Sequence, residues 1–241
     1  MPLPTIATPT YELNLPSTGK KTKYRPFLVK EEKLLILALE SQDYNEITLA
    51  VKEVLKKCIL TRGIKVDELP TFDIEYLFLN IRAKSVGESI EMKVTCPDDR
   101  KTEVDVVVYV DEIEVKRSKD HKTDIKLDDK MTLRMKYPSL TQFIQSNFQT
   151  DETPKETVTK TFKLIADCID TIFTEEDAWE GSEYSAKERL EFIEQLNSKQ
   201  YKEVEKFFAT MPKLSHTFKV TNPKTKVESD VTLEGLSDFF G

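Results

Sequence analysis

Few residues in this chain could react or ligate. Three cysteines, Cys58, Cys96 and Cys168, and two histidines, His121 and His216, lie far apart in its 241 residues. A structural zinc site needs four converging ligands, usually with cysteines paired two residues apart, and a catalytic one often uses His-Glu-x-x-His. Neither pattern can be written. Cys96-Pro97 has the shape of half a zinc knuckle, but Asp98 and Asp99 fill the next positions. The expected reading is a metal-free turn held by Asx-type hydrogen bonds. Asp98-Asp99 and Asp128-Asp129 would bind a hard cation only if other oxygens converged on them, so both are read as solvated turn carboxylates. Nucleophilic catalysis asks for Cys or Ser beside His with an orienting acid. His121 sits in the polar connector Lys116-Arg-Ser-Lys-Asp-His-Lys122, His216 precedes a predicted strand, and no nucleophile motif accompanies either. Both are expected at the surface or at a strand edge. Pairs such as Glu31-Glu32 and Asp111-Glu112 point different ways and are commonplace among 43 acidic residues. With six glycines, Gly19, Gly63, Gly87, Gly181, Gly235 and Gly241, neither G-x-G-x-x-G nor G-x-x-x-x-G-K-[ST] can be formed. No catalytic residue, cofactor or metal is expected.

Composition narrows the classes further. Thirty-six basic against 43 acidic residues give a net charge of −7, with both signs interspersed. Nucleic-acid binding wants a clustered basic stripe, so none is expected. The longest apolar run, Leu34 to Leu39, is far short of the ~20 residues of a membrane span. The start, Met1-Pro-Leu-Pro-Thr-Ile6, has neither a basic nor an apolar leader region. Three scattered cysteines argue against a disulfide framework and for synthesis in a reducing cytoplasm. Hydrophobic residues at 39% and charged residues at 33% predict a lean core under a solvated surface.

The elements that would position these groups follow from periodicity. Tyr11, Leu13 and Leu15 alternate, Pro16 to Gly19 turn, and the chain resumes toward Tyr24, a β-hairpin. Val29 to Ser41 reads as a helix whose Leu34–Leu39 stretch is apolar on every side and therefore centrally buried. Asp43 caps a second helix with Ile47, Ala50, Val51, Val54, Leu55 and Cys58 on its inner face. A third begins at Thr71, with Ile74, Leu77, Phe78 and Ile81 inward and Gly87 past its end. From Ser89 the period is two, and Pro97-Asp98-Asp99 turns a second hairpin. Strands at Thr123–Leu127 and Met131–Lys136 form another. Ser139 then caps a helix bearing Leu140, Phe143, Ile144 and Phe148.

Gln149 to Thr153 is polar and ends in a capping box with proline at its first helical position, which suggests a boundary. The helix after it is predicted to run to about Phe173. Thr174 to Tyr184 is an acidic loop holding Trp179. Ser185-Ala-Lys-Glu188 opens a helix toward Leu196, and Tyr201 to Met211 forms another. Lys93-Val-Thr-Cys-Pro97 recurs as Lys219-Val-Thr-Asn-Pro223, which implies two copies of one hairpin. Leu233, Leu236 and Phe239 or Phe240 share one face of a short terminal helix. The expected fold is α+β, with antiparallel hairpins packed on amphipathic helices in two subdomains, 1–150 and 151–241. Aromatic and apolar residues near loops and ends, Trp179, Phe207, Phe208, Leu236, Phe239 and Phe240, are the interface candidates, weighed against a place in the core.

Certain strings resemble a known family. Tyr11-Glu-Leu-Asn-Leu-Pro16, Tyr24-Arg-Pro-Phe-Leu-Val-Lys-Glu-Glu-Lys-Leu-Leu35, and Phe72-Asp-Ile-Glu-Tyr-Leu-Phe-Leu79 with Arg82-Ala-Lys-Ser-Val-Gly-Glu88 are similar to the baseplate hub proteins of T-even-like bacteriophages, over roughly residues 4 to 150. The closing Val231-Thr-Leu-Glu-Gly-Leu-Ser-Asp-Phe-Phe240 is similar in style. The resemblance implies a non-enzymatic hub subunit or hub assembly factor, made in the host cytoplasm, with the hub and spike proteins and the tape-measure protein as partners. Whether it stays in the virion tail baseplate or leaves as a chaperone is open, as is self-association. The competing expectation is a hub-associated cell-wall hydrolase with two carboxylates roughly 5 to 10 Å apart across a cleft.

Overall fold

The computed structural model describes residues 6–41, 43–139, 142, 154–235 and 238. Among the described residues the fold is α+β, with six α-helices and eleven strands in four small antiparallel sheets. The chain groups into two compact units that are not consecutive in sequence. One comprises residues 1–66, 72–116 and 213–241, the other residues 67–71 and 117–212. The boundary expected within Gln149 to Thr153 lies outside the described residues.

In the first unit, β1 (Tyr11–Asn14) and β2 (Lys21–Tyr24) form the expected hairpin in the register Tyr11 to Tyr24. Its turn passes through Gly19 at φ +68°, where a side chain is disfavoured. Helices α1 (Val29–Glu40) and α2 (Tyr44–Cys58) follow and pack on each other. Asp43 caps α2, its Oδ1 accepting from the Asn45 amide at 2.7 Å. The inner stripe of Ala50, Val51, Val54, Leu55 and Cys58 is buried as its spacing predicts. Helix α3 (Thr71–Val86) ends at Gly87, whose φ is +134°.

The burial expected of α1 belongs to α3. Phe72, Ile74, Leu77, Phe78, Leu79, Ile81 and Ala83 are all buried on α3, whereas α1 buries only Glu31 and Ala38 and leaves Ile36, Leu37 and Leu39 about half exposed. The reason is what surrounds each helix. Leu79 and Ala83 of α3 contribute to a core shared with Ile90, Val108, Val110, Ile113, Leu214 and Leu233. Glu31 is held on the inner side of α1 by Arg25 at 3.2 Å and by the Leu28 amide at 2.7 Å, which fixes the apolar remainder outward.

Strands β3 (Ser89–Thr95) and β4 (Glu103–Tyr109) pair as predicted, Ile90 against Val108 and Val94 against Val104. After β5 (Glu114–Lys116) the chain leaves this unit. It returns as β10 (Lys213–Thr221) and β11 (Glu228–Glu234), with β10 between β11 and β5. His216 therefore lies inside β10 rather than before a strand.

In the second unit, β6 (Asp124–Lys126), β7 (Thr132–Met135), β8 (Ile169–Phe173) and β9 (Ala178–Glu180) form one antiparallel sheet in that order. Ile125, Leu133, Met135 and Ile169 are buried with Ile165, Cys168, Ile193, Val204 and Phe207, contributed by α4 (Pro154–Asp167), α5 (Ala186–Glu194) and α6 (Ser198–Ala209) together with the turn after α4. Two expectations are corrected here. The helix predicted to reach Phe173 stops at Asp167, because the β-branched and aromatic Ile169, Thr171, Ile172 and Phe173 pair with β7 and β9. The acidic segment around Trp179 is likewise a strand. The Ser185 to Glu188 capping box is present, Ser185 N donating to Glu188 at 2.8 Å. Ser139 and Gln142 make a matching pair, Ser139 N to Oε1 at 2.9 Å. The rest of the helix expected there, with Leu140, Phe143, Ile144 and Phe148, lies outside the described residues. No helix among the described residues is long and apolar enough to cross a membrane.

Candidate interaction surfaces

The groups that could do chemistry are placed where chemistry is suppressed. Cys58, Cys96 and Cys168 are all buried. Desolvation pushes the Cys58 thiol up to about 11 and the Cys168 thiol up to about 12. Burial, then Asp98 and Asp99, raise that of Cys96. Thiolate, the reactive form, is thus disfavoured at each. Among the described residues no three His, Cys, Asp or Glu side chains gather as a metal set would.

His121 is not the surface residue its neighbours suggest. It stacks on Tyr137 with ring centroids 5.6 Å apart and lies tilted against Phe207 at 5.2 Å, while Nδ1 meets Thr210 Oγ1 at 3.0 Å and Nε2 meets Tyr137 OH at 2.9 Å. Burial, aided by Arg117, lowers its pKa, so the neutral ring is favoured. Both nitrogens are engaged, and the adjoining depression of about 340 Å³ is open and polar. His216 stacks on Phe218 at 5.4 Å and contacts the Glu112 carbonyl at 3.1 Å, a strand-face packing role.

The repeated hairpin is real in three dimensions. Cys96 O accepts from the Arg100 amide and Asn222 O from the Lys226 amide, both at 2.9 Å, and Arg100 and Lys226 are the two non-glycine residues with positive φ, +52° and +64°, among the described residues. Each copy caps its own turn with a different side chain. Asp99 takes the Lys101 and Thr102 amides at 3.0 and 2.9 Å, while Asn222 Oδ1 takes the Lys224 and Thr225 amides at 2.9 and 3.3 Å. The tips are then joined. Asn222 Nδ2 donates to both oxygens of Asp98 at 3.0 and 3.1 Å, and Thr225 Oγ1 donates to it at 2.5 Å. These bonds hold the Asp98 carboxyl below its ordinary pKa, and the Thr102 hydroxyl and amide do so more strongly for Asp99. Where the first copy has Cys96 the second has a fully buried Asn222, so the half-knuckle resemblance resolves into a hydrogen-bonded clasp.

The aromatic candidates separate by burial. Phe207 is 2% exposed, stacked with Tyr137 and edge-on to Phe208, and is corrected to a core residue. Its position on α6 directs it into the core that holds Val204. Phe208 is half-buried against the same core, and Trp179 is half-buried on β9 opposite Ile172. Leu236, Phe239 and Phe240 lie outside the described residues.

Two apolar surfaces not named among the sequence candidates are exposed. On α1 and at its N-cap these are Val29, Ile36, Leu37 and Leu39 with Leu28; on β4 they are Val107 and Tyr109, which share its outer face. The signal for the first was present in sequence, because a helix apolar all round is buried either by its own chain or by another. Exposed apolar clusters of this kind mark docking surfaces.

Comparison with known proteins gives one positive result: the family model described as T4 bacteriophage base plate protein matches residues 8–241. No curated protein and no solved structure matches the chain.

Proposed function

The chain belongs to the T4 bacteriophage base plate protein family, and from that premise we propose that it is a non-enzymatic component of the baseplate hub pathway that acts by docking to other tail proteins. The match over nearly the whole chain carries this reading. The placement of reactive groups supports it. A glycosidase acid needs a raised pKa and a second carboxylate across a cleft. Among the described residues Asp73 is the carboxyl whose pKa burial raises, and it sits enclosed at the start of α3, accepting the Ser17 amide at 2.9 Å and the Ser17 hydroxyl. That carboxyl is a clamp between α3 and the first hairpin turn. Family membership puts the role at the tail baseplate of a phage virion. Hub, spike and tape-measure proteins are the partners we propose, engaged through α1, β4, Trp179, Phe208 or the terminal residues Leu236, Phe239 and Phe240, after synthesis in the host cytoplasm.

A tagged chain should recover baseplate or tape-measure proteins from a phage-infected lysate, read by mass spectrometry, and should leave purified peptidoglycan intact. Recovery of host metabolic enzymes without any tail protein overturns the reading.

A further inference from the structure

The ring hydrogen of neutral His121 has one place to sit. The Thr210 hydroxyl owns a single hydrogen and donates it to the Lys206 carbonyl at 2.7 Å, with the Phe207 carbonyl as a second acceptor at 3.4 Å. Toward His121 Nδ1, 3.0 Å away, Thr210 Oγ1 can therefore only accept, so Nδ1 carries the hydrogen. Nε2 is then a bare lone pair, and the Tyr137 hydroxyl at 2.9 Å donates to it. In this form the ring ties the connector 117–123 to the end of α6 through Thr210 and to the chain two residues past β7 through Tyr137.

We propose that Thr210, His121 and Tyr137 form an acid-released latch, in which a second proton, taken up at Nε2, reverses the bond to Tyr137 and loosens the connector 117–123 from α6. Protonated Nε2 must donate, so the Tyr137 hydroxyl has to turn its own hydrogen away and accept. Little around the ring compensates for the new charge. Arg117 and Lys122 line the same open depression, and Asp124, the carboxylate among the lining residues, is already held by Arg134 at 2.7 and 2.9 Å. Lys119 and Asp120 in the connector, Lys136 beside Tyr137, and Glu203 and Lys206 on the Thr210 side of α6 are all exposed, where water and salt screen them. The faces of Tyr137 and Phe207 attract a cation weakly. Burial and then Arg117 outweigh that attraction and hold the pKa of His121 below its ordinary value. The unfolded chain therefore takes up the proton first, near the ordinary value of about 6.5. The contribution of the latch is complete above that pH and is lost as pH falls from there through the lowered folded value.

The chain has two histidines, so NMR of the purified full chain can follow each ring separately. His121 should show the Nδ1–H tautomer and titrate below about 6.5. Hydrogen-exchange protection of amides 118–123 should fall roughly tenfold between about pH 7.5 and 5.5. His121→Gln cannot take the proton, so its melting temperature should change less with pH over that range than that of the wild type. Tyr137→Phe keeps the ring and removes the donor to Nε2, so His121 should titrate higher in this variant than in the wild type. The wild-type titration and Tyr137→Phe keep the test decisive if His121→Gln fails to fold. An Nε2–H tautomer overturns the proposal, as does a His121 that titrates at or above its ordinary value. So does a Tyr137→Phe chain in which it titrates no higher, unchanged protection of amides 118–123, or a folded His121→Gln whose melting follows pH as the wild type does. Capture of tail proteins from lysate is a separate measurement, so the family role and the latch stand or fall independently.

Discussion

Asn222 joins two turns that sequence shows only as similar strings. Removing its side chain breaks the bonds to Asp98 and strips the cap from its own turn, leaving buried donors and acceptors unmatched. Asn222→Ala should therefore cost about 1–3 kcal/mol, seen as a fall of several degrees in melting temperature. Asp98 supplies the pH dependence. Its folded pKa is depressed by Asn222 and then Thr225, so its contribution is complete above the unfolded carboxylate value near 4 and is lost as pH falls through the depressed one. The melting temperatures of wild type and Asp98→Asn should accordingly begin to converge as pH falls below about 4 and meet below the depressed value. The cysteines could be read as inert from spacing alone. His121 could not, because the groups that bury it, Tyr137, Thr210 and Phe207, are remote in sequence.

Among the elements, the sheet of the second unit depends on a close approach at Gly181. A Cβ there would lie 2.5 Å from the Ile169 carbonyl oxygen, a backbone atom that cannot swing aside. Gly181→Ala should cost about 1–3 kcal/mol, checked by chemical denaturation. Arg189 closes the same region, donating to the Ala166, Gly181 and Tyr184 carbonyls at 3.2, 3.1 and 2.6 Å and to Asp167 Oδ1 at 2.6 Å. Lysine keeps the charge but cannot span four acceptors, so Arg189→Lys should destabilise by about 1–2 kcal/mol in the same assay. Capping boxes and alternation located α2, α3, α5 and the hairpins. The strand at Ile169 to Phe173 escaped detection because its apolar residues also fit a continued helical stripe, and only pairing with β7 decides between the two periods.

Across the chain, the first unit is completed from both ends. Leu214 and Leu233 enter the core of Leu79, Ala83, Ile90 and Val108 from the C-terminal hairpin, and β10 pairs with β5. A chain ending at Pro212 should lose cooperative melting of the first unit, with amides of α3, β3 and β4 exchanging rapidly in hydrogen-exchange measurements. Retained protection there would show that residues 1–116 hold their core unaided.

Local patterns in the amino-acid order determined the class of fold, most element types, the absence of nucleotide motifs and the kinship strings, since each depends on residues a few positions apart. Tertiary contacts decided which helix is enclosed, that Phe207 is a core residue with His121 half-buried against it, that Asp98 bonds to Asn222, and that residues 213–235 return to the first unit. Each of those outcomes sets groups dozens of residues apart against one another, and burial is a property of the neighbours a residue acquires, which its own periodicity does not carry.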